Sequence, residues 1–125
     1  MKKIFLILSL VIVSLVSYSQ ALLIKDNLHL RANLVNAGKN IELVWTIRME
    51  DHVDYYQIEF GKSPEALDSI AKELGGVWSI DPVTYRWYDK VRSKEPMYYR
   101  IKAVYWDGVF EYSNIVDVVP KRNKR

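Results

Sequence analysis

"YYRIKAVYWDGVFEYS", residues 98–113, decides the fold: two runs of alternating residues are turned back on each other at Asp107-Gly108. In the first run Tyr99, Ile101 and Ala103 share one face while Tyr98, Arg100 and Lys102 share the other. That period of two marks a strand with one buried and one wet side. Asp-Gly is a favoured pair for a two-residue type I′ turn, whose central positions both need positive φ. Such a turn pairs Tyr105 with Phe110, Ala103 with Tyr112 and Ile101 with Asn114. An amide opposite a core position is costly unless hydrogen-bonded, so a bulge is expected near Ser113-Asn114, swinging Ile115 inward.

The same alternation extends upstream. Leu28, Leu30, Ala32 and Leu34 interleave with His29, Arg31 and Asn33, and Asn36 to Asn40 supply a turn. Ile41, Leu43, Trp45 and Ile47 form a second set, Tyr56, Ile58 and Phe60 a third, and Tyr85 and Trp87 a fourth. Short strands at roughly ten-residue spacing point to a sandwich or barrel. One segment reads differently. Ser63-Pro64 resembles an N-cap with proline at the first helical position, Gly75-Gly76 is a natural stop, and Leu67, Ile70, Ala71 and Leu74 recur at helical spacing. Local signals therefore predict a short helix over 64–74.

Residues 1–19 read as a signal peptide. Lys2-Lys3 precede thirteen nearly unbroken apolar residues, Ile4 to Val16, and Ser17-Tyr18-Ser19 sets small residues where a signal peptidase cuts. The rival reading is an uncleaved anchor, but a spanning helix needs ~20 apolar residues. With no Cys after the run, a lipid-modified N-terminus is excluded. Cleavage after Ser19 leaves 106 of the 125 residues, enough for one domain with one core. Losing Lys2 and Lys3 leaves 16 Lys and Arg against 15 Asp and Glu. Four of those cations, Lys121, Arg122, Lys124 and Arg125, lie in the basic tail 120–125, so the body is slightly acidic and no nucleic-acid surface is indicated. The chain has no cysteine, so an exported domain of this kind holds together by core burial alone. Its expected location is the periplasm, cell surface or extracellular space, with no transmembrane anchor once the signal is removed.

Trp45 in "IELVWTI", Tyr56 in "YYQIEF", the pattern Tyr99-x-Ile101-x-Ala103, the glycine-containing hairpin and Ser113 together resemble a fibronectin type III domain. With its ending "YYRIKAVYWDGVFEYSNIV" the chain looks most like the fibronectin-type repeats of bacterial secreted and surface proteins. The likeness spans residues 24–119 and implies an all-β fold, a seven-stranded antiparallel immunoglobulin-like sandwich. It also implies that 67–74 is the short strand after the third one rather than a helix. Tyr99 becomes a tyrosine corner, its hydroxyl bonding backbone in the preceding loop. That loop, Asp89–Pro96, departs from the family's Leu and Gly pattern.

Chemistry is poorly represented. There is no cysteine nucleophile, no G-x-S-x-G elbow, no H-E-x-x-H and no phosphate-cradling glycine loop. His29 belongs to a wet strand face and His52 to a loop, positions where a surface histidine is the plainer reading. Glu50-Asp51-His52-Val53-Asp54 is the one oxygen-rich loop that invites a hard cation, but its spacing lacks calcium-loop regularity. No enzyme, cofactor or metal is expected. A binding surface is: Tyr55, Tyr98, Arg100 and Trp106 belong to the outward face of the third, sixth and last strands, and Tyr, Trp and Arg are the types enriched at interface anchors. Cross-strand pairing, as of Glu59 with Arg100, is the plainer role for each residue singly. The expected function is an exported, non-enzymatic protein-interaction module whose partner is an envelope or extracellular protein. The alternative is a carbohydrate-binding module stacking sugar on Trp78, Tyr88 and Trp106.

Overall fold

The computed structural model describes residues 27–120 apart from Val77. The expected signal peptide (1–19) and the basic residues 121–125 lie outside the described residues. In chain order the strands are β1 (Leu28–Val35), β2 (Asn40–Ile47), β3 (Glu50–Asp51), β4 (Val53–Gly61), β5 (Asp68–Leu74), β6 (Trp78–Ser79), β7 (Val83–Lys90), β8 (Met97–Tyr105), β9 (Phe110–Tyr112) and β10 (Val116–Val118). One sheet runs β1-β2-β7. The other runs β10-β8-β4-β5, with β9 also on β8, and β3 pairs β6 in a small ladder. All pairings are antiparallel. With β9 and β10 as two halves of one last strand, the architecture is a seven-stranded immunoglobulin-like sandwich.

The core is the inward row of each alternating strand. Leu30, Leu43, Trp45, Tyr56, Ile58, Tyr99, Ile101 and Ala103 are all buried, joined by Ile41, Ile47, Val53 and Met97. Trp45 is its centre, with ring centroids 5.6 Å from Tyr56 on the opposite sheet and 5.6 Å from Tyr85 on its own. Burying each large side chain contributes ~1.5–3 kcal/mol, which lets a cysteine-free chain of this length fold.

Three local expectations change. The segment read as a helix from local signals is β5, as the family resemblance implied. Its register against β4 slips between Ile58 and Glu59: Ile58 faces Ala71 while Glu59 faces Ser69. Ile70 is therefore an extra residue, and the bulge lets both Ile70 and Ala71 pack against the core. Two adjacent inward residues break the period of two and imitate a helical one.

The hairpin after β8 has a three-residue turn, not a type I′ pair. Tyr105 N–H donates to Val109 O (2.8 Å) and Gly108 N–H to Tyr105 O (2.9 Å). Only Gly108 among the turn residues has positive φ, 87°. This is a type I turn closed by a glycine bulge. The register is Lys102 with Tyr112, Ala103 with Glu111 and Val104 with Phe110, one residue from expectation. A break in register does occur between β9 and β10, but it carries Val116 and Val118 inward while Ile115 stays 42% exposed. Ser113 N–H donates to Ile101 O (2.8 Å), and Ser113 Oγ accepts from Ile101 N–H (2.9 Å). Asn114, instead of facing the core, clips the backbone of β1: its Oδ1 accepts from Leu30 N–H (2.8 Å) and its Nδ2 donates to Leu30 O (2.9 Å).

Tyr99 is a corner of a different kind. Its hydroxyl donates not to backbone but to the buried Asp89 carboxylate at the end of β7, 2.8 Å away. Asp89 also accepts from Arg92 Nε (2.8 Å) and Lys90 N–H (3.0 Å). The atypical loop supplies its own acceptor.

Candidate functional site

Between β3 and β4 the chain kinks at His52, whose φ is 59°. A non-glycine residue in that left-handed region costs ~1–2 kcal/mol, so its surroundings must hold it. They do so from the hairpin. Trp106 N–H donates to His52 O (2.9 Å), and the two rings meet edge to face at 5.1 Å. His52 Nδ1 lies 2.5 Å from Asp51 Oδ1.

Opposite this corner, Asn27 ties three pieces of chain together. Its Oδ1 accepts from Met49 N–H (3.1 Å), and its Nδ2 donates to Glu111 Oε1 (2.9 Å). The same carboxylate oxygen accepts the Tyr105 hydroxyl at 2.6 Å. Desolvation, then the hydrogen bond to Glu111, pushes the Tyr105 phenol well above its ordinary range. Between corner and hairpin lies a cleft of about 630 Å³, lined by Met49, Trp106, Val109 and Phe110 and by the carboxylates of Asp51, Asp107 and Glu111. Its volume falls within the ~300–1,000 Å³ common for binding sites. Met49, Trp106, Val109 and Phe110 are each about half exposed, at 53%, 60%, 56% and 49%. Four large apolar side chains left open at one end form a patch of the kind that marks contact sites.

Just behind this corner, Glu50 turns inward rather than outward. Buried, its Oε2 accepts both the Tyr56 and the Tyr85 hydroxyls at 2.5 Å, bridging the two sheets. Gly76 lies so close that a Cβ there would strike Glu50 Oε1. Desolvation, then the bond to Glu50, raises Tyr56 strongly and pushes Tyr85 up to about 12. With Glu50 in the core and Asp51 bound to His52, the Glu50–Asp54 loop does not converge on a cation. Among the described residues no group of three His, Cys, Asp or Glu is arranged to hold a metal.

The residues singled out in the sequence are distributed as follows. Tyr55, Tyr98 and Arg100 share the outer face of the β5-β4-β8 sheet, half-buried rather than open. Arg100 is occupied there, bonding Glu59 Oε1 through Nε (2.8 Å) and Nη2 (2.6 Å), with its guanidinium 3.7 Å from the Tyr112 ring. Lys72 stands 4.2 Å over Tyr55. Tyr55 faces Val104, six residues from Tyr98 along β8, or roughly 20 Å at the strand rise. Of the interaction candidates Tyr55, Tyr98, Arg100 and Trp106, only Trp106 lines the cleft. Trp78 pairs with Asp51 at the same end but does not line the cleft. Tyr88 lies on the other sheet, paired with Glu42 five residues along β7 from Val83, its hydroxyl 2.9 Å from Glu42 Oε2. The three aromatics do not form one platform. Val109, Phe110 and Glu111 were not singled out, because the expected hairpin register aligned Phe110 with Tyr105 and a single-residue slip reverses every side chain; Asp51 was read only as part of an oxygen-rich loop.

No family model matches the chain, and no curated protein matches it in sequence. Solved structures do match its fold. The sixth fibronectin type III domain of human fibronectin type III domain containing protein 3 aligns over 78% of this chain and 85% of its own, with 15% identity and a TM-score of 0.58. A Fn3-like protein from Clostridium thermocellum aligns over 76% and 92%, with 21% identity and a TM-score of 0.52. The pectate lyase Pel3 from Pectobacterium carotovorum aligns over 79% of this chain but 28% of its own, with 14% identity and a TM-score of 0.53. The strand order, the central Trp45 and these likenesses agree that residues 27–120 adopt a fibronectin type III-like fold.

Proposed function

We propose that this chain is an exported, non-enzymatic interaction module that docks an envelope or extracellular protein through the end of the sandwich carrying the β8–β9 hairpin. The observation that carries the reading is the open apolar group Met49, Trp106, Val109 and Phe110 around one cleft, on a hairpin tip braced by His52 and Asn27. A rigid aromatic surface loses little conformational freedom on binding, which favours affinity. The outer sheet face, with Arg100 and Tyr112 already paired, is a secondary contact area. Carbohydrate stacking has less support, since Tyr88 is on the opposite sheet. Export rests on the reading of residues 1–19.

Crosslinking pull-down from the native envelope, run beside a glycan array, tests the proposal. The wild-type domain is expected to capture a discrete protein, and a folded Trp106→Ala/Phe110→Ala variant to lose it. Glycan binding that survives that double change but disappears in Trp78→Ala would overturn the reading.

A further inference from the structure

We propose that the cleft receives a lysine or arginine side chain from an extended basic segment of a partner protein; this rests on the docking role above and names the chemistry of its occupant. Three carboxylates rim the cleft, and each commits one oxygen to the fold. Asp51 Oδ1 holds His52, Asp107 Oδ1 accepts from Val109 N–H (3.0 Å), and Glu111 Oε1 accepts from Tyr105 and Asn27. The second oxygen of each makes no hydrogen bond to any described residue. Among the described residues no lysine or arginine lines the cleft, and the one basic group there, His52, already faces Asp51. Lys102 is drawn over the Phe110 ring at 4.2 Å, on the outer face of the sheet.

The remaining walls are Met49, Trp106, Val109 and Phe110. A small hydrated cation has no use for them, whereas a Lys or Arg side chain presents a hydrocarbon stem beneath a charged head. The stem would lie along the apolar wall, the head would meet the unengaged carboxylate oxygens, and the Trp106 face offers a cation–π contact. Charge and apolarity in the cleft thus match the two halves of one side chain.

Two capped pentapeptides serve as probes: Ala-Lys-Arg-Lys-Ala, and a neutral counterpart carrying norleucine and citrulline instead. Binding is read from the indole N–H resonance of Trp106, assigned by its loss in Trp106→Phe. The basic peptide is expected to shift that resonance saturably, at least tenfold more tightly than the neutral one, and to weaken with added salt. An Asp51→Asn/Asp107→Asn variant, which keeps the turn acceptors, is expected to bind at least fivefold more weakly. Glu111→Gln gives a second reading if it folds. Equal affinity for the neutral peptide, an unmoved Trp106, or indifference to Asp51→Asn/Asp107→Asn would overturn the assignment. So would concentration-dependent self-association that competes with the peptide and vanishes when residues 121–125 are removed, since that places a second copy in the cleft. Partner loss in Trp106→Ala/Phe110→Ala without any preference for the basic peptide leaves the docking role standing and removes only this inference. A peptide preference with partner capture indifferent to that double change removes the docking role instead.

Discussion

Ala37 sits at φ 55° between Asn36 at 54° and Gly38 at 82°, in the turn joining β1 to β2. A side chain there carries a left-handed penalty of ~1–2 kcal/mol, partly offset because glycine loses more chain entropy on folding. Ala37→Gly is therefore expected to stabilise the domain by ~0.5–1 kcal/mol, read as a higher urea midpoint at unchanged slope; a lower midpoint contradicts the backbone assignment. The tyrosine hydroxyls make a second residue-scale prediction. Desolvation and a carboxylate partner raise the phenols of Tyr56, Tyr85, Tyr99 and Tyr105. A phenol that holds its proton more tightly when folded stabilises the fold below its unfolded value of 10.0, and that contribution is lost as pH rises through the folded value, about 12 for Tyr85. Stability should thus be level with respect to these groups up to pH 10 and fall progressively above it. In Glu50→Gln, if folded, the Tyr85 phenol should titrate closer to 10; phenolate absorbance against pH reads this directly. An unmoved titration would mean Glu50 does not set it.

At the scale of the element, the last strand shows where sequence patterns suffice and where they do not. Leu30, Leu43, Trp45, Tyr56, Ile58, Tyr99, Ile101 and Ala103, inward by alternation in β1, β2, β4 and β8, are all buried, while Ala32, Leu34 and Phe60 are partly buried. Alternation carries no information about an inserted residue. The extra Ile70 in β5 made a strand resemble a helix, and the extra turn residue before β9 moved Phe110 and Tyr112 to the outer face. Asp107-Gly108 marks a turn at the right place, but Gly108 alone takes positive φ, and dipeptide preference does not separate the two turn types. The cleft was hidden for that reason, its walls coming from a register that local signals misassign. Asn114 was legible as a problem but not as its solution, since its partner Leu30 lies 84 residues away. Asn114→Ala removes both hydrogen bonds to the β1 edge and is expected to cost ~1–3 kcal/mol in chemical denaturation. A midpoint matching wild type would show that water replaces the clip without loss.

For the whole molecule, three carboxylates holding four tyrosine hydroxyls fasten what a cysteine-free chain cannot fasten covalently. Glu50 links Tyr56 and Tyr85 across the two sheets, Asp89 at the end of β7 links Tyr99 on β8, and Glu111 links Tyr105 to Asn27 before β1. Trp45 lies at the middle of this frame, and Trp45→Ala is expected to cost ~3–5 kcal/mol; unfolding near the wild-type denaturant midpoint would contradict its central place. The frame leaves one end open and apolar, and docking at that end is the claim on which the functional account depends. A photo-reactive amino acid placed at position 110, and in a separate variant at position 88 on the opposite sheet, tests it most directly in cells that make the protein. The account predicts a discrete protein adduct on illumination from position 110 and none from position 88. An adduct from 88 with none from 110 would contradict it.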